Sequence, residues 1–199
     1  MSTDSEIILR SVEEPAVFAE LFEQHARMVG RFAARRVGVV AAEDILSETF
    51  LVAFRRRKDF DAAWQSATPW LLGIASRVLK KHRAVEAAHW RSLVMLAGRE
   101  IGEGDGALEE AADRADAEAS LRSLAPSIAK LPARDRDTLL LYAWGDLTYT
   151  EVAHALGVPT GTVRSRLNRV RRRLAAGAPA AAAADLEGGA VDGPVGSRA

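Results

Sequence analysis

The sequence predicts an all-α protein: two small helical domains joined by a flexible acidic linker, the second containing a helix-turn-helix. Three observations carry this reading. Apolar residues recur at helical spacing within residues 15–90 and again within 121–175. A stretch rich in acid, alanine and glycine separates these blocks. In the second block, Gly157 stands between two short amphipathic runs, where a left-handed residue would end one helix before the next begins.

Residues 1–14 read as a polar N-terminal lead-in, partly disordered and without the character of a signal peptide. Pro15 then sits at a helix start, where its missing N–H is harmless. Phe18, Leu21, Phe22, Val29 and Phe32 fall close to one face, and Gly38 closes the run. The next helix has Ile45, Leu46, Thr49, Phe50, Ala53 and Phe54 as its apolar side. Glu43 and Asp44 stand at its beginning and Arg55, Arg56, Arg57 and Lys58 at its end, which complements the helix dipole. Glu48 lies mid-helix and is expected to face outward. Asp59 to Thr68 reads as a loop carrying Phe60 and Trp64. Thr68 caps a third helix with Pro69 at its first position, burying Trp70, Leu71, Ile74 and Val78. Arg77, Lys80, Lys81, His82 and Arg83 make its second half basic. Aromatics beside cations suit single-stranded nucleic acid, whose bases stack on rings; Trp70 fits the core better, and Trp64 fits either role.

From about Ala84 to Ser120 the chain is alanine-rich, acidic and interrupted by glycine, and 91–120 is expected to be the linker. Leu121, Leu124, Ile128 and Leu131 then mark an amphipathic helix broken by Pro132. Leu139, Leu140, Ala143 and Trp144 mark the next, closed by Gly145 and Asp146. The first helix of the motif runs from about Thr150 to Leu156, capped by Thr148 or Thr150. Thr160 caps the second, in which Val163, Leu167, Val170 and Leu174 repeat at 4, 3 and 4. Residues 176–199 are alanine, glycine and proline with few large apolar groups, and read as a disordered tail.

The formal net charge of zero conceals segregation. Ala97 to Ser120 carries eight acidic residues against two arginines, whereas the second helix of the motif carries Arg164, Arg166, Arg169, Arg171, Arg172 and Arg173 with no acid between Gly161 and Leu174. A solvated face normally mixes signs. Six unpaired guanidiniums opposite an apolar stripe instead suit a recognition helix in the DNA major groove, where Arg makes bidentate contacts to guanine or phosphate. The chain has no cysteine, which fits a reducing cytoplasm. It has no apolar run long enough to span a membrane. Neither a phosphate loop, a nucleophile elbow nor a paired-histidine metal motif occurs, and the four histidines are scattered. No catalytic residue, metal or cofactor is expected.

Three segments in this order resemble the extracytoplasmic-function (ECF) sigma factors of bacterial RNA polymerase. They are Ala42 to Phe50 (AEDILSETF), Pro69 to Ala75 (PWLLGIA), and Leu131 to Leu167 with its LTYTEVA and LGVPTGTVRSRL runs. The resemblance covers roughly 15–90 and 120–175. It implies a sigma region 2-like domain over 15–90 and a region 4-like domain over 121–175. It implies that Asp44, Glu48 and Phe50 dock on core polymerase, and that Trp64, Arg77, Lys80, Lys81 and Arg83 meet the −10 element. It further implies that Thr162, Arg164, Ser165, Arg166 and Arg169 face the −35 groove, with Arg172 and Arg173 on phosphates. The acidic linker would thread the polymerase cleft. Core polymerase and promoter DNA are the implied partners, an anti-sigma factor is a further candidate, and no membrane is involved. The family usually has Arg-Asn after Ile-Ala and an Asp four residues past the Asn; here Ser76, Arg77 and Lys81 stand there, so the −10 preference does not carry over. A stand-alone helix-turn-helix regulator is the alternative, disfavoured because residues 15–90 present a docking helix. An enzyme fused to a DNA-binding domain is disfavoured by the missing site chemistry.

Overall fold

The computed structural model describes residues 2–97 and 124–177, and every regular element among them is helical. The first unit comprises α1 (Asp4–Glu13), α2 (Phe18–Val37), α3 (Val39–Arg55), α4 (Thr68–Lys81) and α5 (Arg83–Ala97). The second comprises α6 (124–129), α7 (Ala133–Trp144), α8 (Tyr149–Leu156) and α9 (Thr160–Gly177). Of the linker expected over 91–120, residues 91–97 instead continue a helix, and of the tail expected over 176–199, residues 176–177 end one; 98–120 and 178–199 lie outside the described residues.

The N-terminal lead-in differs from its sequence reading, because residues 4–13 are helical. The Thr3 hydroxyl accepts from the Glu6 N–H at 3.3 Å while the Thr3 N–H donates to Glu6 Oε2 at 2.9 Å, a reciprocal cap that satisfies two free donors. Ile7 and Ile8 are fully buried, and fully burying one such side chain is worth about 1.5–3 kcal/mol. The helix also holds the loop ahead of α4. The Ser5 hydroxyl donates to the Trp64 carbonyl, and the Ala67 N–H donates to Asp4 Oδ2 at 2.6 Å. Asp4 Oδ2 lies 2.9 Å from His25 Nε2 of α2 as well.

Pro15–Val17 forms a single 3-10 turn ahead of α2, and Gly38 ends α2 with φ at +82°. Helices α2, α3 and α4 pack through Leu21, Val29, Phe32, Ile45, Leu71, Ile74 and Leu79. Phe18 meets Phe50 and Phe54 edge-on, and Phe22 meets Phe50 at 4.8 Å between ring centroids. Phe22 itself is 43% exposed, although it shares the apolar pattern. The cap of α4 is Ala67 rather than Thr68, with Pro69 in the first turn. Phe60 is buried edge-on against the half-buried Trp70 at 5.2 Å, so both serve the core. Beyond Arg83 the chain continues as helix α5 to Ala97, burying Trp90.

In the second unit α8 is capped by Thr148, whose hydroxyl accepts from the Glu151 N–H while Glu151 Oε2 accepts from the Thr148 N–H at 2.7 Å. Gly157 adopts φ +65° and ψ +44° and ends α8. Val163, Leu167, Val170 and Leu174 are buried against α7 and α8, as their spacing predicts.

The two units pack together. Leu72 of α4 seats at Gly145, where an added Cβ would lie 2.8 Å from Leu72 Cδ1. A Cβ at Gly73 would lie 2.5 Å from the Ala155 carbonyl oxygen of α8, so α4 and α8 meet backbone to backbone. Arg36 of α2 is 1% exposed and donates to Glu86 Oε1 of α5 (2.8 and 2.6 Å) and to Asp137 Oδ1 of α7 (2.6 Å). Arg136 Nη2 completes this network 3.7 Å from Glu86 Oε2. Trp90 stacks on Trp144 at 6.0 Å, and Arg35 lies over the Trp144 ring.

Candidate nucleic-acid interface

α9 owes its position to the turn before it. Gly157 reverses the chain, and the Pro159 carbonyl accepts from the Thr162 N–H at 2.9 Å, starting the helix with the four apolar residues turned inward. Arg164, Ser165, Arg169, Arg172 and Arg173 are exposed, and Thr162 and Arg166 are half-buried. The Ser165 hydroxyl donates to the Thr162 carbonyl at 2.9 Å, which ties the first turn to itself. The arginines divide into two sets. Arg166 Nη1 donates to Thr138 Oγ1 at 3.3 Å, Arg169 Nη1 lies 3.7 Å from the buried Asp135 Oδ2, and Arg171 Nη2 donates to the Tyr149 hydroxyl at 3.1 Å. These three are oriented by the underlying helices. Arg164, Arg172 and Arg173 project into solvent. The helix therefore does receive a carboxylate, from Asp135 on α7; its own sequence shows no acid because the partner arrives through tertiary packing.

A cleft of about 600 Å³ runs along this face, lined by Arg83, Arg134, Asp135, Thr162, Arg166 and Arg169. Arg83 thus stands with the arginines of α9. Grouped by sequence with the −10 residues of α4, it begins α5, and the break after Lys81 turns it toward the second unit.

The expected −10 residues are not all brought together. Arg77 and Lys80 are exposed on α4. Partial burial, then the nearby Arg56 cation, lowers the pKa of Arg77 from its ordinary value. Trp64 is half-buried, and its ring meets the imidazole of His154 on α8 with centroids 4.3 Å apart. Lys81 Nζ lies 2.5 Å from Glu48 Oε1, and His82 Nε2 lies 3.8 Å from Glu48 Oε2. The Lys81 hydrogen bond, opposed by burial and reinforced by the Lys81 and His82 charges, holds the Glu48 carboxyl below its ordinary pKa. Glu48, expected to face outward, is half-buried between α3 and α4 and paired there.

Of the residues expected to dock on polymerase, Asp44 is exposed. Phe50 is not available as a surface contact: it is 6% exposed, on the inward side of α3 with Thr49 and Ala53, and engaged by Phe18 and Phe22. Its neighbour Leu51 is 48% exposed and presents the apolar group there. The helical spacing of the buried set Ile45, Thr49, Phe50 and Ala53 is the signal in the sequence that turns Phe50 inward.

Among the described residues no cluster of His, Asp and Glu is arranged to hold a metal, and no helix is long and apolar enough to cross a membrane.

Two family models match the chain: "Sigma-70 region 2" over residues 21–88 and "Sigma-70, region 4" over residues 121–174. The ECF RNA polymerase sigma factor SigK of Mycobacterium tuberculosis is 29% identical over 178 residues, covering 87% of this chain and 93% of SigK. SigL of the same organism is 28% identical over 165 residues, covering 81% of this chain and 88% of SigL. Among solved structures, CnrH in complex with the cytosolic domain of CnrY has a TM-score of 0.59 at 20% identity and covers 87% of this chain and 95% of its own. RpoE of Bartonella quintana, bound to the anti-sigma factor NepR, has a TM-score of 0.52 at 20% identity, with 79% and 93% covered. An arginine-faced helix-turn-helix behind a helical unit, matched by both regions in order along nearly the full length of its relatives, makes this chain a member of the sigma-70 family, of the ECF type.

Proposed function

We propose the following division of labour for this sigma factor in promoter-directed transcription initiation. α9 enters the −35 major groove, with Arg164 reading a base edge, Arg166 and Arg169 held in register by Thr138 and Asp135, and Arg172 and Arg173 on phosphates. Trp64, Arg77, Lys80 and Lys81 meet the −10 strand. Extruding a base costs a few kcal/mol, which a stacking ring and flanking cations offset. Asp44, Glu48 and the exposed Leu51 dock α3 on core RNA polymerase. The single observation that carries the reading is the segregation on α9: four buried apolar residues on one side and exposed arginines on the other. Such a face binds duplex through phosphates and reads it through Arg pairs.

The protein acts in the cytoplasm with core polymerase and promoter DNA as partners, as a non-enzymatic initiation factor. An anti-sigma factor is proposed as a further partner, since the related RpoE is bound by one. The test is to add the purified chain to core polymerase with a genomic fragment library. Transcripts with defined 5′ ends and co-migration with core are expected. Neither transcripts nor co-migration would overturn the reading.

A further inference from the structure

Helix α1 touches the segment between α3 and α4 at both of its ends. At the near end the Ser11 carbonyl accepts from Arg57 Nε at 3.0 Å, while Arg57 Nη1 donates to the Phe54 carbonyl at 2.6 Å and the guanidinium lies 4.0 Å over the Phe54 ring. At the far end the Ser5 hydroxyl donates to the Trp64 carbonyl, and the Ala67 N–H donates to Asp4 Oδ2. Asp4 and Ser11 stand on one helix, about 10 Å apart along its axis. A rigid element therefore sets the span that the segment has to bridge. Between the anchors the chain turns tightly: the Trp64 N–H donates to the Asp61 carbonyl at 3.1 Å and the Ala63 N–H to Asp61 Oδ1 at 3.0 Å.

The start of α4 has no side-chain acceptor at its own cap, because Ala67 stands there. Helix starts carry free N–H groups and a partial positive charge. Asp4 supplies an oxygen and a negative charge from 63 residues away. Its carboxylate takes the Ala67 N–H and the Ser66 hydroxyl, and Ser66 Oγ in turn accepts from the Thr68 N–H at 3.2 Å. His25 of α2, 2.9 Å from Asp4 Oδ2, keeps the carboxylate in this place. The backbone around Trp64 is thus fixed from the first turn of α1.

We propose that Asp4 and Ser5 are positioning residues for promoter opening: without touching DNA, they hold the backbone of residues 64–67 in the conformation that receives the unpaired −10 strand. The inference rests on the reading of Trp64 as a −10 residue. Extruding a base costs a few kcal/mol. A receiving loop that has to order itself at the same moment adds its own conformational entropy to that cost, and a loop ordered beforehand does not. The arginines of α9 are carried by a helix packed on α7 and α8, so binding of closed duplex through them does not depend on α1.

Asp4→Ala and Ser5→Ala each remove one anchor. Asp4→Asn keeps a side-chain oxygen for the Ala67 N–H and loses only the charge opposite His25. Hydrogen exchange read by mass spectrometry should show peptides spanning 57–67 exchanging about tenfold faster in the two alanine variants, the size of one lost hydrogen bond to a charged group. Asp4→Asn should stay near the unaltered chain, and α9 peptides should not change. Opening is then measured with core polymerase on a library fragment that the unaltered chain transcribes, carrying 2-aminopurine in its −10 region. The fluorescence rise should slow about tenfold in Asp4→Ala and Ser5→Ala, within the range that one base–aromatic stack supplies. It should be nearly unaltered in Asp4→Asn, and co-migration with core should persist in all three. Unchanged exchange over 57–67 overturns the bracing by α1. Faster exchange with unchanged opening overturns the positioning role when Trp64→Ala slows opening. When Trp64→Ala is equally without effect, it is the −10 reading of Trp64 that has failed, and the proposal falls with it. Equal slowing by Asp4→Asn and Asp4→Ala marks a general loss of stability and overturns the positioning role as well. Absence of transcripts from the unaltered chain refutes the initiation reading and the opening step together, while the exchange measurement still decides whether α1 fixes the loop.

Discussion

Lys81 Nζ lies 2.5 Å from Glu48 Oε1, so a cation assigned to DNA and an acid assigned to polymerase hold one another on the surface between α3 and α4. The pair is partly solvated, with Lys81 68% exposed, and should contribute no more than about 1 kcal/mol to stability. Its consequence is coupling. Lys81→Ala should weaken binding to single-stranded −10 DNA and leave Glu48 freer, so co-migration with core polymerase should hold or improve. Glu48→Gln should do the reverse. Gel-shift and co-elution measurements on the two variants check this, and parallel losses in both assays would contradict it.

The arginines of α9 predict separable effects. Arg164→Ala should cost about 1–3 kcal/mol against the preferred duplex and relax preference at one base pair. Arg172→Ala or Arg173→Ala should weaken all duplexes alike and reduce the slope of affinity against salt by about one ion. Selection from randomised duplexes, followed by titration at several salt concentrations, reads both. Identical behaviour of the three variants would remove the distinction between base and phosphate contacts.

Arg36 is the charge at the centre of the fold. Arg36→Met leaves Glu86 and Asp137 facing one another in a buried place. Removing one partner of a buried network typically costs about 3–5 kcal/mol. The denaturation midpoint should fall accordingly, and Arg36→Lys should recover only part of it because an ammonium lacks the planar fork that serves both acids.

Gly157 tests local conformation alone. A Cβ there meets nothing within 4 Å, yet φ is +65°. Gly157→Ala should therefore cost about 1–2 kcal/mol through left-handed backbone strain, without steric effects. A thermal melt that does not move would show that the turn relaxes.

Asp4 gives an acid dependence. Burial raises its pKa, but the His25 ring, the Ala67 N–H and Ser66 together outweigh this and hold it below the ordinary value. A carboxyl depressed on folding stabilises the protein fully above its unfolded pKa, about 4, and that contribution is lost as pH falls through the lower folded value. Asp4→Asn should lower stability at neutral pH by about 1.5–3 kcal/mol and flatten the acid limb. Urea titrations from neutral to acid pH measure both.

How far the sequence speaks depends on whether a signal lies within one helix. The α9 stripe, the Gly157 turn and the break at Gly38 were legible because each involves neighbours along the chain. α1 was not, since Ile7, Ile8 and Leu9 are one short apolar run within a polar segment too short to show a period. Its stability comes from packing and from the Ala67 N–H, which only the folded loop supplies. Arg36 read as an ordinary cation near a helix end because its partners lie 50 and 101 residues away. Asp135 escaped for the same reason. Phe50 illustrates the opposite error: a position matched by resemblance was taken as a contact although its own periodicity turned it inward.

Docking of α1 has a practical corollary for anyone handling the protein. Thr3 and Glu6 close the helix start, and the next two contacts reach directly to Trp64 and Ala67. An affinity tag fused ahead of Thr3 would hang beside the loop between α3 and α4 and load the cap of the helix that keeps this loop in place. Expression vectors for this protein are better designed with the tag at the other terminus.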